Sequence, residues 1–250
     1  MKKASFLLIL AVCSLALHAQ LTIECDRPDQ TETPSIVPDK HFQLESGFYF
    51  HKQSDITITY PSTLIKYGIK DIAEFRFEIE PSTQIVKTGD NTNSTSGVSP
   101  IAFGMKLKIC EEKKWLPKTS VIIMTSVPIL ASKKLTANFP SPQIRFTCQH
   151  TLPQKFTLSY NFGALWSEDD LTTTPLYTLT SGYSFTNEIG CYVELYGFMP
   201  FKGKQEHGFD GGFMFYPVPN WMIDLSGGIL FEKRKPAWFA GLGISFLLPR

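Results

Sequence analysis

Beyond its first twenty residues the chain lacks any stretch with the roughly 18 apolar residues that a membrane-spanning helix needs. The best candidate, Val121 to Ala131, is short and interrupted by Pro128. An excess of either charge is also missing. The 250 residues carry 24 Lys and Arg against 23 Asp and Glu, which leaves no electrostatic footprint for nucleic acid. The five cysteines form no CxxC and no Cys/His spacing of a metal site, so neither a metal nor a cofactor is expected. GxSxG, HExxH, P-loop and dinucleotide-binding glycine patterns are absent from fitting contexts. The chain is nonetheless no disordered polymer, because 43% of it is hydrophobic, with 20 Phe, 9 Tyr and 4 Trp.

The N-terminus has the layout of an export signal. Lys2 and Lys3 are basic, Phe6 to Leu17 is apolar, and Leu17-His18-Ala19 offers a cleavage point before Gln20. Residues 1–19 are therefore read as a signal peptide, and the apolar run is too short for a comfortable anchor helix. Lipidation of Cys13 is the weaker alternative, since Val12 stands where a small residue is wanted. An exported chain without a spanning helix can still cross a membrane as a closed β-barrel, the other fold that satisfies every backbone polar group in lipid.

What the sequence has in abundance is period-two alternation. Phe42, Leu44, Phe48 and Phe50 alternate with Gln43, Glu45, Gly47 and Tyr49. Phe75, Phe77 and Ile79 alternate with Glu74, Arg76 and Glu78, and Phe103, Met105 and Leu107 with Gly104, Lys106 and Lys108. The pattern recurs at Phe156 to Ala164, Tyr177 to Phe185 and Trp238 to Phe246, with weaker segments between. The count is twelve strands, with a bulge expected at Pro61-Ser62, where the apolar phase shifts.

Two all-β folds fit this alternation. A soluble sandwich would bury the apolar face, whereas a membrane barrel would turn it to lipid and keep polar and small residues inside. Several features favour the closed antiparallel barrel. The polar phase carries Gly47, Gly104, Gly163, Gly182, Gly241 and Gly243. Tyr49, Tyr60, Tyr67, Trp166, Tyr177, Tyr196, Tyr216, Trp221 and Trp238 stand near strand ends, where interfacial girdles lie. Long connections, such as Pro81 to Ser99 and Ile129 to Ser141, alternate with short ones, such as Thr186 to Glu188. The Asn/Thr/Ser/Gly run Thr88 to Ser99 reads as a flexible outer loop. The expected organisation is a signal at 1–19, an N-terminal leader or plug without strands at 20–40, and a barrel over 41–250.

On this register Glu45, Arg76, Glu78, Lys106, Lys108, Arg145, Glu194, Asp210 and Asp224 face the lumen. They either line a solute path or knit the lumen into a rigid plug of ion pairs. The segment Asp26, Arg27, Pro28, Asp29, Thr31 and Glu32 either enters the lumen, pairing Arg27 with a lumen carboxylate, or merely seals the base. Cys148 and Cys191 fall on apolar faces, and the pairing of Cys25, Cys110, Cys148 and Cys191 stays open. No Ser- or Cys-His-acid pattern makes the chain an enzyme.

The run Cys25-Asp26-Arg27-Pro28-Asp29-Gln30-Thr31-Glu32-Thr33-Pro34, followed by Val37-Pro38 and Gln43-Leu44-Glu45-Ser46-Gly47-Phe48, resembles the opening of a bacterial outer-membrane transporter family assigned to a MetA-type pathway of phenol degradation. Shorter similarities follow at Leu64 to Gly68, Tyr160 to Gly163, Val193 to Gly197 and Asp224 to Gly228. The chain departs from that pattern at Cys25 and in the residues after Phe246. The resemblance implies an outer-membrane barrel of a Gram-negative-type bacterium that passes small, apolar or aromatic, solutes. It supplies no catalytic residues. Outer-membrane lipid and an unidentified solute are the expected partners, without nucleic acid. A structural or adhesive barrel and a membrane-embedded lipid hydrolase are the alternatives.

Overall fold

Strands that are apolar on one face and polar on the other must either stack in pairs or close on themselves, and this chain closes. A computed structural model describes residues 22–88, 91–231 and 236–248. The expected signal segment 1–19 and its cleavage point lie outside the described residues. Strands β1 (Phe42–Lys52), β2 (Ile56–Ile69) and β3 (Ala73–Ile79) precede β4 (Pro81–Thr88), β5 (Asn91–Val98) and β6 (Ile101–Cys110). Then come β7 (Lys118–Val127), β8 (Ser141–Thr151), β9 (Phe156–Trp166) and β10 (Thr173–Ser184). The last four are β11 (Ile189–Phe198), β12 (Glu206–Phe215), β13 (Trp221–Phe231) and β14 (Ala237–Leu248).

Twelve of these strands form one antiparallel barrel. Sequence neighbours pair around the ring from β6 to β14, β14 pairs with β1, and β1 pairs with β2, so the sheet closes. Closure leaves no ladder edge facing lipid, where an unpaired N–H or C=O would cost several kcal/mol (~).

Pro81 to Ser99 differs from its expected form as a long, flexible loop. It folds into the β4–β5 hairpin, which extends the sheet beyond the barrel. The physical reason lies in β2, whose 14 residues outrun β3. Its Thr63–Ile69 portion pairs with β3, and Ile56–Thr59 instead finds Ser82–Ile85 of β4. Thr and Ser then suit a ladder as well as a coil, and Thr83 Oγ1 lies 2.7 Å from Ser96 Oγ across the hairpin.

The expected bulge is present in β2. Gly47 pairs with Ser62 and Tyr49 with Thr59, so Tyr60 and Pro61 together oppose Phe48. Proline has no N–H to give to the ladder, which makes it tolerable where the ladder skips.

The faces decide between barrel and sandwich. Phe48 and Leu225 are 54% and 57% exposed, while Lys106 and Asp224 are 0% and 1% exposed. The apolar face is outermost and the interior is polar, the arrangement of a protein whose external solvent is lipid. A sandwich would have buried Phe48 and Leu225. Tyr60, Trp221 and Trp238 stand exposed on the outer surface. Tyr49, Tyr196 and Tyr216, expected in the same girdle, correct that expectation. Tyr196 shares the inward parity of Glu194 and is 3% exposed. Tyr49 bonds to Arg27 in the lumen, and Tyr216 packs on an apolar cluster of Ile23, Val37, Met222 and Leu247. That cluster closes the end of the barrel bearing the short turns, where Ile23 N–H also donates to the Pro219 carbonyl at 2.8 Å.

Connections 70–72, 111–117, 152–155, 185–188 and 216–220 lie at this short-turn end. The β4–β5 hairpin and the connections 128–140, 167–172 and 199–205 lie at the other. Segment 22–41 leads into β1 from the short-turn end.

The orientation of the two faces predicts a position-specific cost. An arginine at Leu225, which faces outward on β13, should destabilise the barrel by about 2–4 kcal/mol if it lies near the bilayer midplane. Urea unfolding in phospholipid vesicles, followed by tryptophan fluorescence, measures this. Unchanged stability of Leu225→Arg would mean that this face is not in lipid.

Candidate functional site

Lumen charges need partners, because an isolated buried ion costs several kcal/mol (~) even after relaxation. Here the partners come from both the barrel wall and the segment that precedes β1. Residues 24–37 lie inside the barrel, and their polar groups reach strands around much of its circumference.

Asp26 is the centre of this arrangement. Its carboxylate accepts from Lys66 Nζ at 2.9 Å, Arg76 Nη1 at 2.7 Å and Lys106 Nζ at 2.8 Å. These cations stand on β2, β3 and β6, three successive neighbours in the sheet. Its own backbone N–H donates to Glu45 of β1 at 3.0 Å. Lys66 also pairs with Glu45, and Arg76 with Glu74 at 2.9 Å and Glu32 at 2.7 Å.

Arg27, joined to Pro28 by a cis peptide bond, extends to the neighbouring stretch of wall formed by β1, β14 and β13. Its Nε and Nη2 donate to the Asp224 carboxylate at 3.2 and 2.9 Å, and its Nη1 donates to Tyr49 Oη at 2.8 Å. The fork geometry of a guanidinium suits this two-oxygen contact. Gly47 and Gly243 are paired directly across β1 and β14, and the guanidinium lies where a Cβ on either would stand. The absence of side chains at this pair is what admits Arg27.

The next residues complete the circle. Gln30 N–H donates to Glu194 at 2.7 Å, and its carbonyl accepts from Arg145 Nη1 at 2.7 Å. Thr31 Oγ1 donates to Glu194 and sits within 2.6–2.7 Å of Thr178 and Thr180 hydroxyls. Glu32 and Asn161 exchange two bonds, N–H to Oδ1 at 2.7 Å and Nδ2 to carbonyl at 3.0 Å. Farther along, Lys106 and Ser120 donate to the carbonyls of Thr33 and Pro34, and Val37 N–H donates to Glu74. The segment has no ladder of its own, so wall side chains satisfy its backbone.

The structure thus brings Glu45, Arg76, Lys106, Arg145, Glu194 and Asp224 together around Asp26, Arg27, Thr31 and Glu32. Asp210 is buried directly across the ladder from Glu194. Glu78 is half-buried near the long-loop end, and Lys108 pairs with Glu111 at 3.0 Å, away from the Asp26 network. Asp29 borders a cavity beside Thr31 and Thr180. Lys66 and Glu74 are missing from the sequence-derived set, yet they are 1% and 0% exposed and central to the network. Their signal was parity: Lys66 stands between outward Ile65 and Tyr67, and Glu74 two residues before Arg76. Cys148 and Cys191 follow the outward parity, and Cys25, Cys110, Cys148 and Cys191 are free thiols. Among the described residues no group of His, Cys, Asp and Glu is placed to hold a metal ion. Outside the span, the Thr151 backbone N–H bonded to Glu112 holds that carboxyl below its ordinary range.

Two cavities flank the segment. One of about 730 Å³ opens at the short-turn end against Asp29, Thr31, Thr180, Tyr192 and Tyr216. One of about 350 Å³ opens at the long-loop end against Asp26, Tyr49, Glu78 and Phe239. Arg27 borders both.

A closed antiparallel barrel with an apolar exterior and a charged interior defines an outer-membrane β-barrel, here with its own N-terminal segment inside. Residues 25–248 match the family described as "Putative MetA-pathway of phenol degradation", and the chain belongs to that family. The fold is shared with the crystal structure of an outer-membrane channel from Pseudomonas putida F1, at 12% identity and a TM-score of 0.70, over 90% of this chain and 100% of that one. The NanC porin is similar at 9% identity and a TM-score of 0.58, over 82% and 100% of the two chains. The KdgM porin in complex with disordered oligogalacturonate follows at 9% identity and 0.53, over 82% and 99%. Comparison with curated proteins gave no match.

The glycine pair yields a prediction. Removing Arg27 leaves buried Asp224 without its cation, so Arg27→Ala should cost about 3–5 kcal/mol. Gly243→Val should produce a similar loss by displacing the guanidinium, and the double variant should fall well short of the sum. Denaturant midpoints in detergent test this, and full additivity would show that Gly243 does not act through Arg27.

Proposed function

We propose that this protein is an outer-membrane channel for small solutes whose lumen is obstructed by its own N-terminal segment. The observation that carries the reading is the pair of cavities, about 730 and 350 Å³, that meet at Arg27 from opposite ends of a polar lumen. A wall meant only to be rigid has no need of space on both sides of the obstruction, whereas a path needs both. The shared fold with an outer-membrane channel and two porins supports the reading.

In this reading the chain is exported by its first nineteen residues and inserts with its short turns in the periplasm and its long connections outside. The family description points to aromatic compounds as solutes. The role is passage and not catalysis.

Vesicle swelling with a panel of sugars, amino acids and aromatic compounds tests the proposal. The wild-type chain should pass the smallest solutes slowly. Arg27→Ala, which frees the segment from Asp224, should raise the rate several-fold. Glu194→Ala should change which solutes pass while leaving the folded band on detergent gels intact. Swelling with no solute, for wild type and Arg27→Ala alike, would overturn the channel reading.

A further inference from the structure

We propose that Lys66, Arg76 and Lys106 form a carboxylate-binding site of the lumen, filled by Asp26 in this structure and by a small monocarboxylate solute when the N-terminal segment withdraws. The proposal rests on the channel reading and deepens it by naming a class of solute.

Three donors converge on one carboxylate at 2.7–2.9 Å. All three residues are buried to within 3% of full burial. Adjacent strands hold them, so the site keeps its shape whether or not Asp26 is there. Glu45 and Glu74 are the wall carboxylates paired with these three cations, and the N-terminal segment delivers two more, Asp26 to all three cations and Glu32 to Arg76 alone. With the segment withdrawn, the wall presents three cations against two carboxylates. An under-compensated buried cation draws an anion, because its desolvation is already paid.

The rest of the lumen sharpens the choice of ligand. Glu194, Asp210 and Asp224 stand on β11, β12 and β13, also successive neighbours and strands without Lys or Arg, whereas the arc of β2, β3 and β6 carries Lys66, Arg76 and Lys106 beside Glu74. Such a field across a narrow lumen sends an anion toward Lys66, Arg76 and Lys106. The 350 Å³ cavity leads from the long-loop end to Asp26, and Glu78 and Glu80 border it. Those acids repel a multiply charged anion more than a singly charged one. A monocarboxylate is the class that passes them and matches the charge of the group it replaces.

The test uses the full mature chain refolded in detergent, with sodium acetate as the probe and sodium chloride at equal ionic strength as the control. Asp26→Ala should lower the melting temperature in chloride, and acetate should restore more than half of the loss. Wild type, whose site is filled, should respond equally to the two salts. Adding Lys106→Gln to Asp26→Ala should abolish the acetate effect. If Asp26→Ala does not refold in chloride, the folded fraction obtained in acetate becomes the readout, with a several-fold gain expected. Equal behaviour in both salts, no gain in refolding, or an acetate effect that survives Lys106→Gln would overturn the site. Solute passage in swelling assays without any acetate effect leaves the channel and removes this site. Acetate rescue with no passage of any solute supports the site and counts against the channel reading alone.

Discussion

The pairing of buried charges inside a space that excludes most water is the constraint on which much of this structure depends. The outward parity of Phe48, Phe162 or Leu225 obliges Glu45, Asn161 and Asp224 to point inward, because a strand offers only two directions. Once inward, the ions must find partners within the barrel. Asp26 supplies the shared counter-ion for cations on three strands, and Arg27 supplies one for Asp224. The N-terminal segment is therefore as much a component of the lumen as any strand.

This constraint also accounts for the composition of the segment. A chain crossing the lumen has no ladder for its backbone, so Asp26, Gln30, Glu32 and Val37 lodge their N–H groups on wall side chains. Arg27 reaches Asp224 because Gly47 and Gly243 leave room for a flat guanidinium against bare backbone. A further close approach occurs at Gly68, whose missing Cβ leaves space for the carbonyls of Val37 and Pro38 as the segment turns into β1. Small residues on the inner wall thus mark where the segment runs, as well as where the sheet curves.

The mobility that a channel requires sits uneasily with so many bonds, and the geometry suggests how the two coexist. Among the segment's contacts are two groups of wall charges, the cations of β2, β3 and β6 and the acids Glu194 of β11 and Asp224 of β13. Arg27 and Asp26 are consecutive residues bound to different groups, so a small rotation about this pair alters both sets together.

The number of barrel strands, the outward face and the inward identity of Glu45, Arg76, Lys106, Arg145, Glu194 and Asp224 were legible in the sequence, because parity along a strand is a local property. Parity also carried Lys66, Glu74, Tyr49 and Tyr196 inward. For the two tyrosines this parity outweighs their position near strand ends. Three things needed the tertiary structure. Parity says which side of the sheet Glu78 and Lys108 lie on, but their height along the barrel keeps them from the Asp26 network. The Thr88 to Ser99 run has a composition that suits coil and ladder alike, and only the excess length of β2 selected the ladder. Above all, the sequence holds Asp26 forty residues from Lys66 and eighty from Lys106. Only closure of the barrel, which places β2, β3 and β6 side by side around a common interior, brings three cations to one carboxylate.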